Sequence, residues 1–358
     1  MATSAPAVNV DKPIPAPKRP WLATPRQRVE TGAILFIAAL LDIAIVQVTP
    51  MKGKIAYVGL FMIIYPALDY TLALLQRGKS AASDAAMRAI VNFAMAIAMV
   101  PILSILWTVW QRGHKGLHWN LFTQDMHSAS VTDPIMTHGG LVHAILGSVL
   151  IVVASLVVAV PIGLLTAIYL TEIKGRFMRP IKFLVQSMSG VPSIVAGLFV
   201  LAAIVYPLTK TFNGFEGALA LAILMIPTIA RTAEEVLLLI PQDLRETGLA
   251  LGGTQWRTVQ KIILPAARSG LVTSMILGVA RVAGETAPIV LLTGGGDTTN
   301  WNLFHAPMGT LPFYIWKGFG AGTPESFQRA WTGILVLLVV VLVLFALARF
   351  LGGRKASK

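Results

Sequence analysis

The chain has 358 residues, of which 55% are hydrophobic and 13% are charged, and its mean hydropathy is +0.72. A water-soluble fold needs a polar surface, so this composition excludes one and predicts a protein whose solvent is lipid. In such a protein the formal net charge of +13 reports on membrane orientation, not on binding to nucleic acid. The absence of cysteine excludes disulfides, thiol nucleophiles and iron–sulfur clusters.

The segments in chain order are a tail, a series of apolar spans and a second tail. Residues 1–28 are rich in Pro and Ala and lack an apolar core, which predicts a disordered tail and no cleavable signal peptide. Residues 352–358 form a short basic tail. Between them, eight segments have the roughly 20 apolar residues that a crossing requires, which predicts an all-α, polytopic helical bundle. They lie near 29–49, 55–75, 88–110, 141–170, 181–209, 217–241, 270–293 and 330–351.

The basic residues predict how the chain is oriented in the membrane. Twenty of the 29 Lys and Arg residues fall in the connections 76–88, 171–182 and 242–269 and in the two tails, with Arg349 at the end of the last span counted in the second tail. Because basic residues are retained on the cytoplasmic side, both termini are predicted to be cytoplasmic. The six His residues lie on or near the opposite side, in a spacing that matches no metal-ligand pattern, so no metal site is predicted.

The connection 242–269 carries a motif. Its residues have the spacing of Glu-Ala-Ala, three residues, Gly, nine residues and Ile-x-Leu-Pro, and this segment resembles the coupling loop of ABC importer permeases. The resemblance implies that a short helix here docks on a partner ATPase. It implies a coupling role for Glu246, Leu249, Gly252, Trp256, Ile262, Leu264 and Pro265.

Two positions depart from the family pattern. Thr247 and Gly248 stand where the pattern has alanines, and glycine weakens a helix by about 1 kcal/mol relative to alanine. Leu249 and Leu251 supply apolar contacts, and Pro265 is expected to end the helical element.

A second resemblance narrows the family. Residues 281–288 read Arg-Val-Ala-Gly-Glu-Thr-Ala-Pro and are similar to the Arg-x-x-Gly-Glu-Thr-Ala-Pro signature of PstA-type phosphate permeases. Residues 190–199 match a further segment of that family. The resemblance covers 88–351, which implies a six-helix core with the type I ABC importer transmembrane fold. Residues 29–87 then form two additional N-terminal helices.

The resemblance also implies an assembly in the cytoplasmic membrane of a prokaryote. Its members would be a PstC-like permease chain forming a heterodimer with this one, two ATPase subunits and an external phosphate-binding protein. The sequence lacks the glycine-rich loop that cradles the phosphates of ATP. ATP and Mg²⁺ are therefore expected on the partner ATPases, and this chain is predicted to be a transport subunit without cofactors and not an enzyme.

Two arginines fall inside predicted spans, where an ionisable group is costly and usually marks a pathway. At 1.5 Å per residue, Arg281 lies roughly 16 Å and Arg231 roughly 14 Å from the inner ends of their spans, which predicts a common level. Each has acidic residues one helical turn away, at Glu285 for Arg281 and at Glu234 and Glu235 for Arg231.

These residues suggest a pathway for an anion. A guanidinium offers planar, permanently charged donors to phosphate oxygens. The hypothesis is that Glu285 competes with phosphate for Arg281, while Thr286 and Ser193 supply neutral donors. The alternatives are salt bridges that only pack the helices and, for Arg231, a side chain that reaches the inner surface.

Other interpretations of the whole chain remain open. A permease for another oxyanion, such as molybdate or sulfate, has the same architecture. A secondary transporter or channel would need no ATPase, and a membrane-embedded sensor or scaffold would need no transport. Asp42 and Asp69, in the two additional helices, are predicted to be polar helix contacts or interfacial residues.

Overall fold

The computed structural model describes residues 25–49 and 53–353. In this part of the chain the regular structure is helical, as expected where lipid offers no hydrogen-bond partner to the backbone. Most of the predicted tail 1–28 and the end of the predicted tail 352–358 lie outside the described residues. The α-helices are α1 (Pro25–Val48), α2 (Lys54–Arg77), α3 (Lys79–Gly113), α4 (Val142–Ile168), α5 (Met178–Ser189), α6 (Ser193–Val200), α7 (Gly214–Leu238), α8 (Gln242–Ala250), α9 (Gln255–Thr258), α10 (Leu264–Val282), α11 (Ala287–Leu292), α12 (Leu311–Ala321) and α13 (Pro324–Gly353).

Seven helices of the described residues are long and apolar enough to cross a membrane, and a bent pair makes an eighth span if counted as one. This confirms the predicted all-helical, polytopic fold with about eight spans. α3 runs without a break through residue 88, so the boundary predicted there lies inside a helix.

The fifth apolar segment is not the continuous helix that the sequence analysis placed at 181–209. α5 ends at Ser189, and the helix that restarts at Ser193 continues through π-helical turns to Thr209, bent by 108° from α5. Pro192 causes part of this break, because proline has no amide hydrogen and keeps the preceding residue out of the helical conformation. α5 is amphipathic, whereas the second piece is apolar.

The seventh apolar segment, predicted at 270–293, is broken in the same way. α10 ends at Val282, and α11 begins at Ala287 with Pro288 in its first turn. Residues 283–286 are not helical. Two helix breaks therefore occur within segments whose hydropathy alone is typical of continuous spans.

The chain divides into two compact units between Ser104 and Ile105. In the first unit, Arg77 pairs with Glu30, and Arg88 pairs with Asp69 at 3.3 Å. The second pair links α2 to α3 and confirms the polar helix contact predicted for Asp69.

The core of the second unit is built on close contacts between α4, α7 and α10. Ile229 of α7 lies between two glycines: a Cβ added at Gly163 or Gly278 would stand 2.8 or 2.7 Å from its side chain. In lipid, helices associate through such close packing of small residues. Because alanine would collide at either position, the two glycines determine how closely α4 and α10 approach α7.

On the side predicted to be extracytoplasmic, Arg329 holds the loop that follows α3. Its side chain is fully buried, and it donates to the backbone oxygens of Asp133 at 2.8 Å and His138 at 2.6 Å. Backbone oxygens thus satisfy a buried cation without a carboxylate, and the loop 133–138 is fixed to α13.

Candidate functional site

The predicted coupling loop folds as two short helices. α8 begins after Pro241, and α9 is capped by Thr254, whose hydroxyl oxygen accepts from the amide of Arg257 at 3.3 Å. A π-helical turn then leads directly into α10. Pro265 lies inside the continuous helical span Gln255–Val282, just after its π-helical turn, so it does not end the helical element as predicted.

Gly248, one of the two departures from the family pattern, is a position of close contact. A Cβ there would stand 2.5 Å from Thr258 Cγ2 and 2.9 Å from Ile262 Cδ1. The sequence analysis treated this glycine as a weakness in the helix. The structure shows instead that its missing side chain makes room for α9 and for Ile262 of the motif.

The motif glycine, Gly252, makes the turn after α8. Its φ is +78°, and its amide donates to Leu249 O at 2.9 Å. A side chain in this backbone conformation is strained, although the space around Gly252 is open. Glycine is therefore required here for backbone geometry, whereas at Gly248 it is required for packing.

One face of the loop is apolar and exposed. Leu249 is 51% exposed, Trp256 is 49% exposed, and Leu251 is 81% exposed just beyond the end of α8. Glu246 is also exposed. In contrast, Ile262 and Leu264 are partly buried against the cluster that includes Ile263. The motif thus contributes both an outward surface and an anchor in the transmembrane core.

A residue that sequence analysis did not assign, Arg245, ties α8 to the membrane domain. Its Nη2 and Nε lie 2.8 and 3.0 Å from the carboxylate of Glu172, in the π-helical turn that continues α4. It also donates to Leu237 O at 2.8 Å and to Ile240 O at 2.7 Å, at the end of α7. The hydrogen bonds with Glu172 raise the pKa of Arg245. This guanidinium joins three helices.

The sequence contained a weak signal for this contact. Glu172 is an acidic residue at the predicted inner end of the fourth span, and Arg245 is a basic residue in the loop that faces the same side. The two are separated by 73 residues, so local pattern could not pair them. A cavity of about 500 Å³ lies beside the pair, with Thr171 and Gln242 in its wall.

Arg281, the predicted pathway residue, lies at the end of α10 and is exposed. Its Nη2 is 3.4 Å from Ser189 O, at the end of α5. A Cβ at Gly197 would stand 2.9 Å from Pro288 Cα, so α6 packs against α11. The two helix breaks therefore lie close together near Arg281. The predicted donor Ser193 adjoins one break, and the predicted donor Thr286 lies in the other.

The pairing predicted between Arg281 and Glu285 does not form in the described residues. That prediction assumed a continuous helix, which would place residues i and i+4 on one face. Because α10 ends at Val282, Glu285 lies in the break, where its amide donates to Val282 O at 3.1 Å. Thr286 is turned toward its own backbone, with a weak contact of 3.4 Å to Gly284 O.

The pairing predicted for Arg231 is also wrong. Glu234 is 9% exposed and accepts from Lys182 Nζ of α5 at 3.0 Å, while Arg231 and Glu235 are both exposed. Lys182 was counted in the sequence only as a cytoplasmic basic residue. The bend between α5 and α6, which sequence analysis missed, accompanies the approach of α5 to α7.

The two arginines do not share a level. Gly278 lies against Ile229 and Gly270 against Val236, which defines an antiparallel register between α10 and α7. In this register Arg281 is level with residue 226, the middle of α7, and Arg231 is level with about residue 276 of α10. At 1.5 Å per residue, the arginines are roughly 8 Å apart along the axis.

The described part of the chain is thus an apolar multi-span helical membrane protein with a short helical loop anchored to its spans. Comparison with known proteins gives the family. Residues 159–357 match the model of the binding-protein-dependent transport system inner membrane component, which is more than half of the chain. The chain belongs to this family.

Three relatives have similar sequences over most of their length. The "Phosphate transport system permease protein PstA 1" of Mycobacterium tuberculosis (strain CDC 1551 / Oshkosh) is 38% identical over 266 residues, which is 72% of this chain and 86% of the relative. The PstA protein of Haemophilus influenzae is 36% identical over 67% of this chain and 83% of its own. That of Yersinia pestis is 34% identical over 74% and 90%.

Proposed function

We propose that the chain is the permease subunit of an ATP-driven importer of inorganic phosphate. Family membership supports the transport role, and the names of the three relatives support phosphate as the cargo. The observation that carries the proposal is the position of Arg281, level with the middle of a spanning helix and beside two helix breaks. In transporters, broken helices near the midplane commonly surround the substrate site.

The surroundings of Arg281 suit a transient anion site. No ion pair to this arginine forms within the described residues, and its one hydrogen bond, to Ser189 O, is long. Its remaining donors are free to bind phosphate oxygens in the bidentate manner of guanidinium groups. Glu285 lies four residues away without pairing, so it lowers the local positive potential and leaves the donors open. Ser193 and Thr286 supply hydroxyls at the two breaks.

Arg231 offers a second position on the same route. It is exposed on α7 and stands roughly 8 Å from Arg281 along the axis, toward the end predicted to be cytoplasmic. Glu235 beside it is also exposed, whereas Glu234 is engaged by Lys182. An anion leaving Arg281 would therefore meet a second cation before it reached the inner surface.

Energy enters through the loop 242–269. The exposed Leu249, Leu251 and Trp256, with Glu246, form the surface that we assign to a partner ATPase. The Arg245–Glu172 contact then transmits movement of α8 to α4 and α7, because a bidentate, largely buried pair resists sliding. The complete machine has a PstC-like second permease, two ATPase subunits that hold ATP and Mg²⁺, and an external phosphate-binding protein. It lies in the plasma membrane of a prokaryote, with both termini inside.

The test is uptake of labelled phosphate by cells in which this chain is the sole permease of its kind. We expect Arg281→Gln to reduce uptake by at least tenfold, roughly the effect of losing one charged hydrogen bond, and Arg281→Lys to retain part of it. Arg179→Gln, at an exposed arginine outside the breaks and outside the loop 242–269, is the matched control. Protein levels are checked by immunoblot.

Three outcomes would reject parts of the proposal. Normal uptake by Arg281→Gln at normal protein levels would remove Arg281 from the pathway. Inhibition of uptake by molybdate or sulfate at lower concentration than by phosphate would change the cargo while keeping the importer. Uptake that persists after ATP depletion would favour a secondary transporter or channel.

A further inference from the structure

The first unit of the chain contains a cleft that the proposed transport mechanism does not use. It has a volume of about 910 Å³ and is walled by α1, α2 and α3. Drug-sized ligands occupy pockets of roughly 300–1,000 Å³. Most of its wall is apolar, with Val58, Ile97 and Val100 among the exposed side chains that face it. The cleft is therefore accessible from the hydrocarbon region.

One carboxylate, that of Asp42, stands in this wall. The residue is 5% exposed, and its Oδ1 is buried without a hydrogen-bond partner in the described part of the chain. It lies on the buried stripe of α1 that includes Ala38 and Val46. The polar helix contact predicted for Asp42 is thus not found, unlike the one made by Asp69. A buried, unpaired carboxyl oxygen is costly, so a missing partner is expected.

The basic side chains described in this unit do not supply that partner. Arg77 is paired with Glu30, and Arg88 is paired with Asp69. The Arg77–Glu30 pair places the end of α2 beside the start of α1. Lys79 is two residues after Arg77, so it also lies near the start of α1. Asp42 is twelve residues further along α1, or roughly 18 Å away along a helix.

Aromatic rings surround the same space. Tyr57, Phe61, Tyr65 and Phe93 line the cleft, and the rings of Phe61 and Tyr65 stack with centroids 6.0 Å apart. The faces of aromatic rings attract cations, and several rings beside a carboxylate are the usual surroundings of an organic ammonium group. None of the described residues in this wall is basic. The residues of this wall therefore favour a ligand with a positively charged head group and an apolar body.

We propose that this cleft binds a membrane-partitioned organic ammonium compound, with the cation held by Asp42 and the aromatic rings and the apolar body held by α2 and α3. The source of the ammonium group is either the head of an aminolipid or a free amphiphilic amine. The proposal is independent of the phosphate pathway, whose residues belong to the second unit. The main competing occupant is a helix of another chain that brings a basic side chain to Asp42.

The experiment uses the full chain purified in dodecyl maltoside and a pair of photoreactive alkyl probes. One probe carries a trimethylammonium head, and the other carries a hydroxyl head on the same alkyl diazirine. We expect saturable labelling of α2 and α3 peptides by the ammonium probe. Asp42→Asn should weaken this binding by roughly tenfold, because a desolvated charge pair is lost. Labelling by the hydroxyl probe should not change.

Controls separate binding from folding. Asp84→Asn removes an exposed carboxylate of the same unit and should label as the unchanged protein does. Phe93→Leu keeps an apolar wall and should weaken ammonium binding by a few fold. Each variant must elute and melt as the unchanged protein does. Equal labelling of Asp42→Asn and unchanged protein by the ammonium probe would overturn the proposal.

Two further measurements identify the source of the ammonium group and test whether a helix of another chain occupies the cleft. Competition by phosphatidylethanolamine but not by phosphatidylglycerol would identify an aminolipid head, and competition by neither would identify a free amine. Labelling should persist when the chain is purified with its partner subunits. If labelling disappears in that assembly, the cleft is covered by protein and the proposal fails.

Discussion

Arg245 and Arg281 belong to the same unit but have opposite surroundings. The Arg245 side chain is 17% exposed and engages the carboxylate of Glu172 and two backbone oxygens. Arg281 is exposed and makes one long contact to a backbone oxygen. A guanidinium whose donors are mostly used by its own chain holds structure together, whereas one with free donors can bind a passing anion. Substitutions should separate these two roles.

The largest effect is expected from breaking the Arg245 contact. Arg245→Met leaves the Glu172 carboxylate, which is 5% exposed, without a partner, and such a loss typically costs about 3 kcal/mol or more. We expect a clearly lower melting temperature for the purified chain and loss of ATP-dependent uptake.

The matched double variant Arg245→Met/Glu172→Met removes both charges. It should recover most of the stability but not the uptake, because the link from α8 to α4 is still absent. Equal stabilities of Arg245→Met and the unchanged chain would show that the contact does not hold the loop.

The next effect concerns the glycines of the same region. Gly248→Ala restores the alanine of the family pattern, but its Cβ would collide with Thr258 and Ile262. We therefore expect a loss of about 1–3 kcal/mol from overpacking. Were the site an ordinary helix position, the same change would stabilise by about 1 kcal/mol, so the sign of the change in melting temperature decides.

Gly252→Ala serves as the companion variant. Nothing lies near a Cβ at this position, so any loss arises from the positive φ alone. An expected loss of about 1 kcal/mol, smaller than at Gly248, would separate backbone strain from packing.

A smaller effect is expected at the Lys182–Glu234 pair, which is intermediate between the two arginines. The Lys182 side chain is 47% exposed, so Lys182→Met should cost about 1 kcal/mol or less. Arg179→Met, an exposed change on the same helix, is the control for altered charge on α5. A loss as large as that of Arg245→Met would mean that the α5–α7 contact is a main support of the unit.

The smallest effect on stability is expected where the effect on function is large. Because Arg281 is exposed and weakly held, Arg281→Gln should change the unfolding free energy by no more than about 0.5 kcal/mol. The melting temperature of this variant is measured beside its phosphate uptake. A loss of uptake accompanied by a marked loss of stability would assign Arg281 to structure and remove its contrast with Arg245.

The ion pairs predicted for Arg281 and Arg231 were wrong, and the two errors have a common origin. Arg281 was identified from a charge inside an apolar segment, and its level in the middle of α7 agrees with the depth expected. Its pairing with Glu285 was wrong because i+4 reasoning requires an unbroken helix. Arg231 was likewise assigned neighbours along its own helix, whereas Glu234 turned to Lys182, 52 residues earlier. Sequence spacing predicts contacts within one helix, whereas the ion pair that Glu234 forms joins two different helices.

By itself the sequence determined the lipid environment, the approximate number of spans, the position of the motif in the loop 242–269 and the family resemblance. These depend on segment length, composition and local spacing, which are properties of short stretches of chain. The tertiary structure alone decided that two spans are broken, that Gly248 is a packing position and that Arg245 reaches Glu172. Each of these depends on which distant groups meet. In lipid the backbone hydrogen bonds are satisfied within each helix. Contacts between helices therefore depend on close packing and on the pairing of buried charges.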